Sequence, residues 1–174
     1  AGKLGGVCLN WGCIPTKTMH AAAHLMETGS SSDYADLAGV DMKALSDHRA
    51  KVVDRLVSGI YRLLKKRGVE IISARGRLIS PDEVKIDTGN TVKGNKIIIA
   101  AGSSPTSLPG MEFDGNMILS SKDLLNLDHL PSSLLIIGGG VFVSGFASIF
   151  NALGSEVTVV EMLPSLVSGE SDRI

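Results

Sequence analysis

The chain has 174 residues, of which 44% are apolar and 20% charged, and its net charge is −1. That balance excludes a disordered chain and a polycationic, nucleic-acid-binding one. There is no apolar run of the roughly eighteen residues a membrane span needs. The first residues, AGKLGGVCLNWGC, also lack the charged-then-apolar layout of a secretory signal, so the expected compartment is the cytoplasm.

The segment 16–27, TKTMHAAAHLME, is rich in helix formers and predicts a short helix, stopped by Gly29 and the serines after it. A polar stretch follows. Asp41 then predicts the cap of a long helix, with Met42, Leu45, Val52, Leu56, Ile60 and Leu63 at three- and four-residue spacings and Lys65, Lys66 and Arg67 before a stop at Gly68. Past Gly68 the pattern changes: 69–79, 83–86 and 96–100 predict strands, separated by turn signals at Pro81-Asp82 and Thr88-Gly89-Asn90. The run 96–100, KIIIA, is continuously apolar at its centre and predicts a strand buried on both faces.

A linker is expected over about 104–130. LLIIGGG, a helical stretch to about Leu153 and EVTVVE then form strand, Gly-rich turn, helix and strand, one βαβ unit. The expected fold class is α/β, with one unit over 1–130 and the start of a second over 131–174. A lone βαβ unit cannot cover both faces of a parallel sheet, so the sequence is expected to be an internal piece of a longer protein.

Cys8 and Cys13 stand in GGVCLNWGCIPTK, a spacing that can close a small disulfide ring, with a helix or tight turn expected to begin at about Pro15-Thr16. The helix N-terminus and Lys17 would stabilise thiolates there, while Gly5, Gly6 and Gly12 would let the backbone lie against a planar cofactor. Two buried, inert thiols are the plainer alternative. Adding His20 and His24 gives a two-sulfur, two-nitrogen set. The gap from Cys13 to His20 is shorter than the roughly twelve residues of zinc-finger patterns, so no metal is expected.

The run Gly6-Val7-Cys8-Leu9-Asn10-Trp11-Gly12-Cys13-Ile14-Pro15-Thr16-Lys17 resembles the redox motif of the pyridine nucleotide-disulfide oxidoreductases, most closely their dihydrolipoamide dehydrogenase branch. KIIIAAGSSPTSLPG and LLIIGGG through EVTVVEMLP extend the resemblance over almost the whole chain, with glutathione and mercuric reductases as near competitors. The resemblance implies a partial FAD-binding domain over 1–130 and the first unit of a Rossmann-like NAD-binding domain over 131–174. It implies that Cys8 is the interchange thiol, that Cys13 lies against the flavin as the charge-transfer thiolate, and that Lys17 sits near the reactive edge of the flavin ring. A dihydrolipoamide-type dithiol would be the substrate and FAD and NAD the cofactors. The partners implied are a second copy of the chain and a 2-oxoacid dehydrogenase complex, with no nucleic acid or membrane.

Ala101, Gly102 and Ser103 resemble the family's second flavin-contacting segment, although Ala101 stands where the family often has threonine. Gly138 and Gly140 follow an apolar strand and open a helix, where free N–H groups and the helix dipole favour a pyrophosphate, and Glu161 ends the next strand. That carboxylate would accept hydrogen bonds from ribose hydroxyls and repel a 2′-phosphate, which points to NAD rather than NADP. The family pattern GGGxIGxE is broken here, because Val143 replaces the third glycine and Gly145 the acid. Valine is expected to push helix and strand apart, and the two changes together to weaken NAD binding or slow hydride transfer. The family's His-Glu acid-base pair belongs to a C-terminal domain contributed by the dimer partner, so this piece alone is expected to be inactive. A degenerate, non-catalytic nucleotide-binding relative is the alternative.

Overall fold

A computed structural model describes residues 2–29, 32–36 and 39–168. Two helices open the chain, α1 (Gly6–Trp11) and α2 (Cys13–Glu27), separated by Gly12 alone. Pro15 falls in the first turn of α2, where its missing N–H costs no helix bond, so the helix starts at Cys13 and not at Pro15-Thr16 as expected. It ends at Thr28 and Gly29, the latter with φ 68°; Ser30 and Ser31 lie outside the described residues.

A small antiparallel pair, β1 (Ala35–Asp36) and β2 (Gly39–Val40), leads into α3 (Met42–Lys66). Asp41 caps α3 by accepting a hydrogen bond from the Ala44 amide at 2.9 Å, and Lys65 and Lys66 occupy its last turn, as the sequence predicts. β3 (Gly76–Ser80), β4 (Glu83–Ile86) and β5 (Thr91–Lys93) form an antiparallel meander. The short helix α4 (Ser121–Leu124) lies within the expected linker. β6 (Ser133–Ile137), α5 (Val141–Leu153) and β7 (Glu156–Val160) then form the βαβ unit, with β6 and β7 parallel and in register from Ser133 opposite Glu156 to Ile137 opposite Val160.

Two strand expectations fail. Residues 69–75 form no strand and β3 begins only at Gly76, while 96–100 form no strand either, with Ile98 89% and Ile99 78% exposed. A strand is held by its neighbours, and among the described residues no strand ladder includes either segment. Their β-type sequences therefore record an environment that the described residues do not supply.

One apolar core links the elements. Met19, Ala22 and Ala23 of α2, Met42 and Leu45 of α3, Leu124 and Leu125 at α4, and Phe146, Ile149, Phe150 and Leu153 of α5 pack together. Phe150, Met19, Leu45 and Ile149 are essentially fully buried, each worth about 1.5–3 kcal/mol of hydrophobic stabilisation. The α2 side chains that face this core fix the opposite side of the helix outward, and that side carries Lys17, His20 and His24.

Candidate active site

The cysteine motif is a helix, a one-residue break and a second helix. Gly5, with φ 97°, is the N-cap of α1 in a left-handed conformation that other residues rarely adopt, and a Cβ there would fall on the Leu9 side chain. Cys8 is the third residue of α1 and exposed; Cys13 is the first of α2 and half-buried. Gly12 between them is buried, and a Cβ on it would lie 3.2 Å from both the Cys8 Cα and the Val7 carbonyl oxygen. A side chain here would need the Val7 and Cys8 backbone to give by a few tenths of an ångström.

Asn10, also buried, ties this turn to the chain before it. Its Nδ2 donates to the carbonyls of Leu4 and Gly6, each at 2.9 Å, and Thr16 Oγ1 donates to the Gly12 carbonyl at 2.8 Å. Both cysteines are free thiols. Hydrogen bonding toward the Cys13 side chain, with desolvation and the Cys13 charge adding to it, pushes the Cys8 thiol above its ordinary value, while the positive charge of Lys17 pulls the other way. Cys8 is thus the member of the pair held in the neutral form, because its S–H can donate toward the charge on the Cys13 sulfur.

Lys17 is exposed, one helical turn beyond Cys13, and forms no ion pair with a carboxylate among the described residues. Gly6, with φ 62°, leaves open space where a Cβ would be. Gly102, with φ 81°, lies so that its missing Cβ would be 3.8 Å from Val7 Cγ2, which brings the segment of Ala101, Gly102 and Ser103 to the face of α1. Exposed residues of both segments thus lie near α1, an arrangement that fits a planar flavin.

The nucleotide turn is assembled at the carboxyl ends of β6 and β7. The Gly138 amide donates to the Val160 carbonyl at 2.8 Å, and Gly138, with φ 112°, turns the chain away from the strand. Gly140 is the N-cap of α5 with no side-chain cap, so the first amides of that helix are open to an anion. Glu161 lies at the end of β7, half-buried, with Oε1 accepting from the Leu163 amide at 2.8 Å. This geometry fits a dinucleotide.

Gly139, between the two glycines singled out from the sequence, is the one packed against the acid. A Cβ on it would stand 2.7 Å from Glu161 Oε2 and 2.9 Å from both Glu161 Cγ and Leu166 Cδ2. Only the unbroken GGG run hints at this role. Val143 does not force helix and strand apart: its Cγ2 would lie 3.6 Å from a Cβ on Gly138, an ordinary contact, and the parallel register is intact. The valine instead projects toward the turn itself. Gly145 has open space where a side chain would start.

Among the described residues no three His, Cys, Asp or Glu side chains converge as a metal site, and His20 and His24 are exposed on α2. No helix among them is long and apolar enough to cross a membrane.

The profile of the family described as pyridine nucleotide-disulphide oxidoreductase matches residues 2–174. The chain belongs to this family. It is 37% identical to a dihydrolipoyl dehydrogenase of Bacillus subtilis (strain 168), over 99% of this chain and 40% of that protein. It is 41% identical to a dihydrolipoamide dehydrogenase of Chaetomium thermophilum, over 95% of this chain and 34% of the relative. Among solved structures, the HOCl-induced flavoprotein disulfide reductase RclA from Escherichia coli superposes with a TM-score of 0.79 at 28% identity, covering 96% of this chain and 36% of that one. LpdA from Mycobacterium tuberculosis does so with a TM-score of 0.77 at 26% identity, covering 95% and 38%. The chain thus spans 34–40% of the length of these relatives, and the chemistry of its family uses FAD and NAD(H).

Proposed function

We propose that this chain is the redox-disulfide portion of a dihydrolipoamide dehydrogenase-like enzyme, in which the full-length protein passes electrons from a dithiol through Cys8 and Cys13 to FAD and on to NAD. The observation that carries this is the Cys8–Gly12–Cys13 turn, with Cys8 exposed, Cys13 half-buried and the close-packed Gly12 between them.

In the oxidised enzyme a substrate thiolate attacks the Cys8 sulfur, the Cys8–Cys13 bond breaks and Cys13 leaves as thiolate. The second substrate thiol then attacks the substrate sulfur bonded to Cys8. Cys8 leaves as thiolate, the substrate departs as a disulfide, and its two electrons remain on the cysteine pair. Exposure suits Cys8 to the interchange role and the half-buried position suits Cys13 to the flavin side. FAD supplies the two-electron acceptor that hands a hydride to NAD. Gly5, Gly6, Lys17, Ala101, Gly102 and Ser103 would hold the flavin; Gly138, Gly140 and Glu161 would hold NAD.

In this reading residues 1–130 belong to the FAD-binding domain, with a linker over about 104–130, and 131–174 open the NAD-binding domain. The unpaired segment 96–100 takes its place in a sheet with strands of the longer protein. A homodimer supplies the acid-base pair, the 174 residues alone are inactive, and the enzyme works in the cytoplasm, docked to a 2-oxoacid dehydrogenase complex.

The test is NAD reduction by dihydrolipoamide with the full-length protein and its Cys8→Ser and Cys13→Ser variants. Turnover that both substitutions abolish is expected. A protein that binds nucleotide but oxidises no dithiol would favour the degenerate reading suggested by Val143 and Gly145.

A further inference from the structure

Trp11 stands at the end of α1, directly before the Gly12 break, and Lys122 of α4 lies over its ring with Nζ 4.3 Å from the centroid. The lysine reaches it from a fixed base. Ser120 and Asp123 form a reciprocal capping box at the start of α4, and Leu124 and Leu125 are buried in the core. Asn126 Nδ2 donates to the Lys122 carbonyl at 2.6 Å, and Asn126 Oδ1 accepts from Nη2 of the buried Arg49 of α3 at 3.0 Å. The redox turn is close-packed as well, since Gly12 lies against the Cys8 backbone. A restraint on the Trp11 ring is therefore a restraint on the separation of Cys8 and Cys13.

We propose that Lys122 is a positioning residue for the redox pair: its cation–π contact holds the Trp11-Gly12 turn in the geometry that keeps Cys8 beside Cys13 and so favours closure of their disulfide. The inference rests on the redox assignment made above and adds to it a residue from a distant part of the chain. Two thiols held together have a high effective concentration toward one another. Without the contact the turn samples wider separations, that concentration falls and the disulfide becomes easier to reduce.

The experiment equilibrates full-length protein anaerobically in dithiothreitol redox buffers, each Cys8–Cys13 disulfide reduced yielding one cyclic dithiothreitol disulfide. Free thiols are then trapped by alkylation and the peptide masses measured. Lys122→Met is expected to lower the equilibrium constant for disulfide formation by about two- to fivefold, the range of a surface cation–π contact. Lys122→Arg restores it, because a guanidinium also stacks on indole. In a Trp11→Leu background, where the aromatic face is gone, Lys122→Met is expected to change little further.

An unchanged equilibrium constant in Lys122→Met overturns the proposal. So does an equal loss in both backgrounds, which would place the effect in α4 rather than in the contact with Trp11. A wild-type protein whose two cysteines stay as thiols in every buffer would instead sink the redox assignment itself, and this inference with it.

Discussion

Gly139 and Glu161 face each other so closely that a methyl group on the glycine would stand 2.7 Å from the Glu161 carboxylate oxygen. Gly139→Ala must therefore push the carboxylate aside, along with Leu166, whose Cδ2 would be 2.9 Å away. Both neighbours are side chains free to move, so the cost falls on where Glu161 points rather than on the fold. The expected outcome for full-length protein is weaker NADH binding by about tenfold, of the order of the overpacking penalty, with little change in melting temperature. Fluorescence titration with NADH checks it; an unchanged dissociation constant would remove Glu161 from the site.

Val143 and Gly145 give the converse prediction. Val143 lies against Gly138 at the turn, and Gly145 has open space around a prospective Cβ. Val143→Gly should tighten NADH binding severalfold while costing up to about 1 kcal/mol of helix stability. Gly145→Glu should be accommodated without repacking. Rapid-mixing measurement of flavin reduction by NADH separates the two: faster reduction in either variant supports the view that these positions limit the nicotinamide end, and no change in both contradicts it.

The pH dependence of alkylation tests the electrostatics of the cysteine pair. Cys8 is held above the ordinary thiol value chiefly by its hydrogen bond with Cys13, and Lys17 opposes this. The midpoint for iodoacetamide reaction at Cys8 should thus fall in Cys13→Ala, where the bond is lost, and rise in Lys17→Met. A midpoint that rises in Cys13→Ala would reverse the assigned cause.

A fourth prediction concerns α4. Ser120 Oγ donates to Asp123 Oδ2 at 2.6 Å and the Ser120 amide donates to it at 2.9 Å, which holds the Asp123 carboxyl below the usual carboxylate range. A carboxyl lowered on folding contributes stability that is present above its unfolded value, near pH 4, and is lost as pH falls through the lower folded value. Ser120→Ala should cost about 1 kcal/mol at neutral pH. In denaturant titrations that difference should shrink on acidification below about pH 4; a difference independent of pH would exclude the carboxyl from the cap.

Much of this architecture is legible in the sequence where the cause is local. Asp41 before a periodic apolar face specifies α3, and strand, glycine run, strand specifies the βαβ unit with Gly138 and Gly140 in place. α4 also has a local signal, Ser120 three residues before Asp123, but it is a single turn inside a stretch whose prolines and glycines suggest a linker. What escapes is whatever depends on distant partners. The apolar run at 96–100 reports burial in a sheet, and that burial needs neighbouring strands the described residues do not provide. Gly139 owes its role to Glu161, and Trp11 to Lys122, and neither pairing leaves a spacing pattern along the chain.

Cys8 and Cys13 are proposed to be a redox pair with Cys13 on the flavin side. Anaerobic addition of dihydrolipoamide to the full-length protein, followed by absorption spectroscopy, tests it most directly. The expected result is a long-wavelength charge-transfer band in the wild-type protein on addition of the dithiol, already present without added reductant in Cys8→Ser, where Cys13 has no disulfide partner, and absent from Cys13→Ser. A band that survives the loss of Cys13, or no band in the wild-type protein, would contradict it.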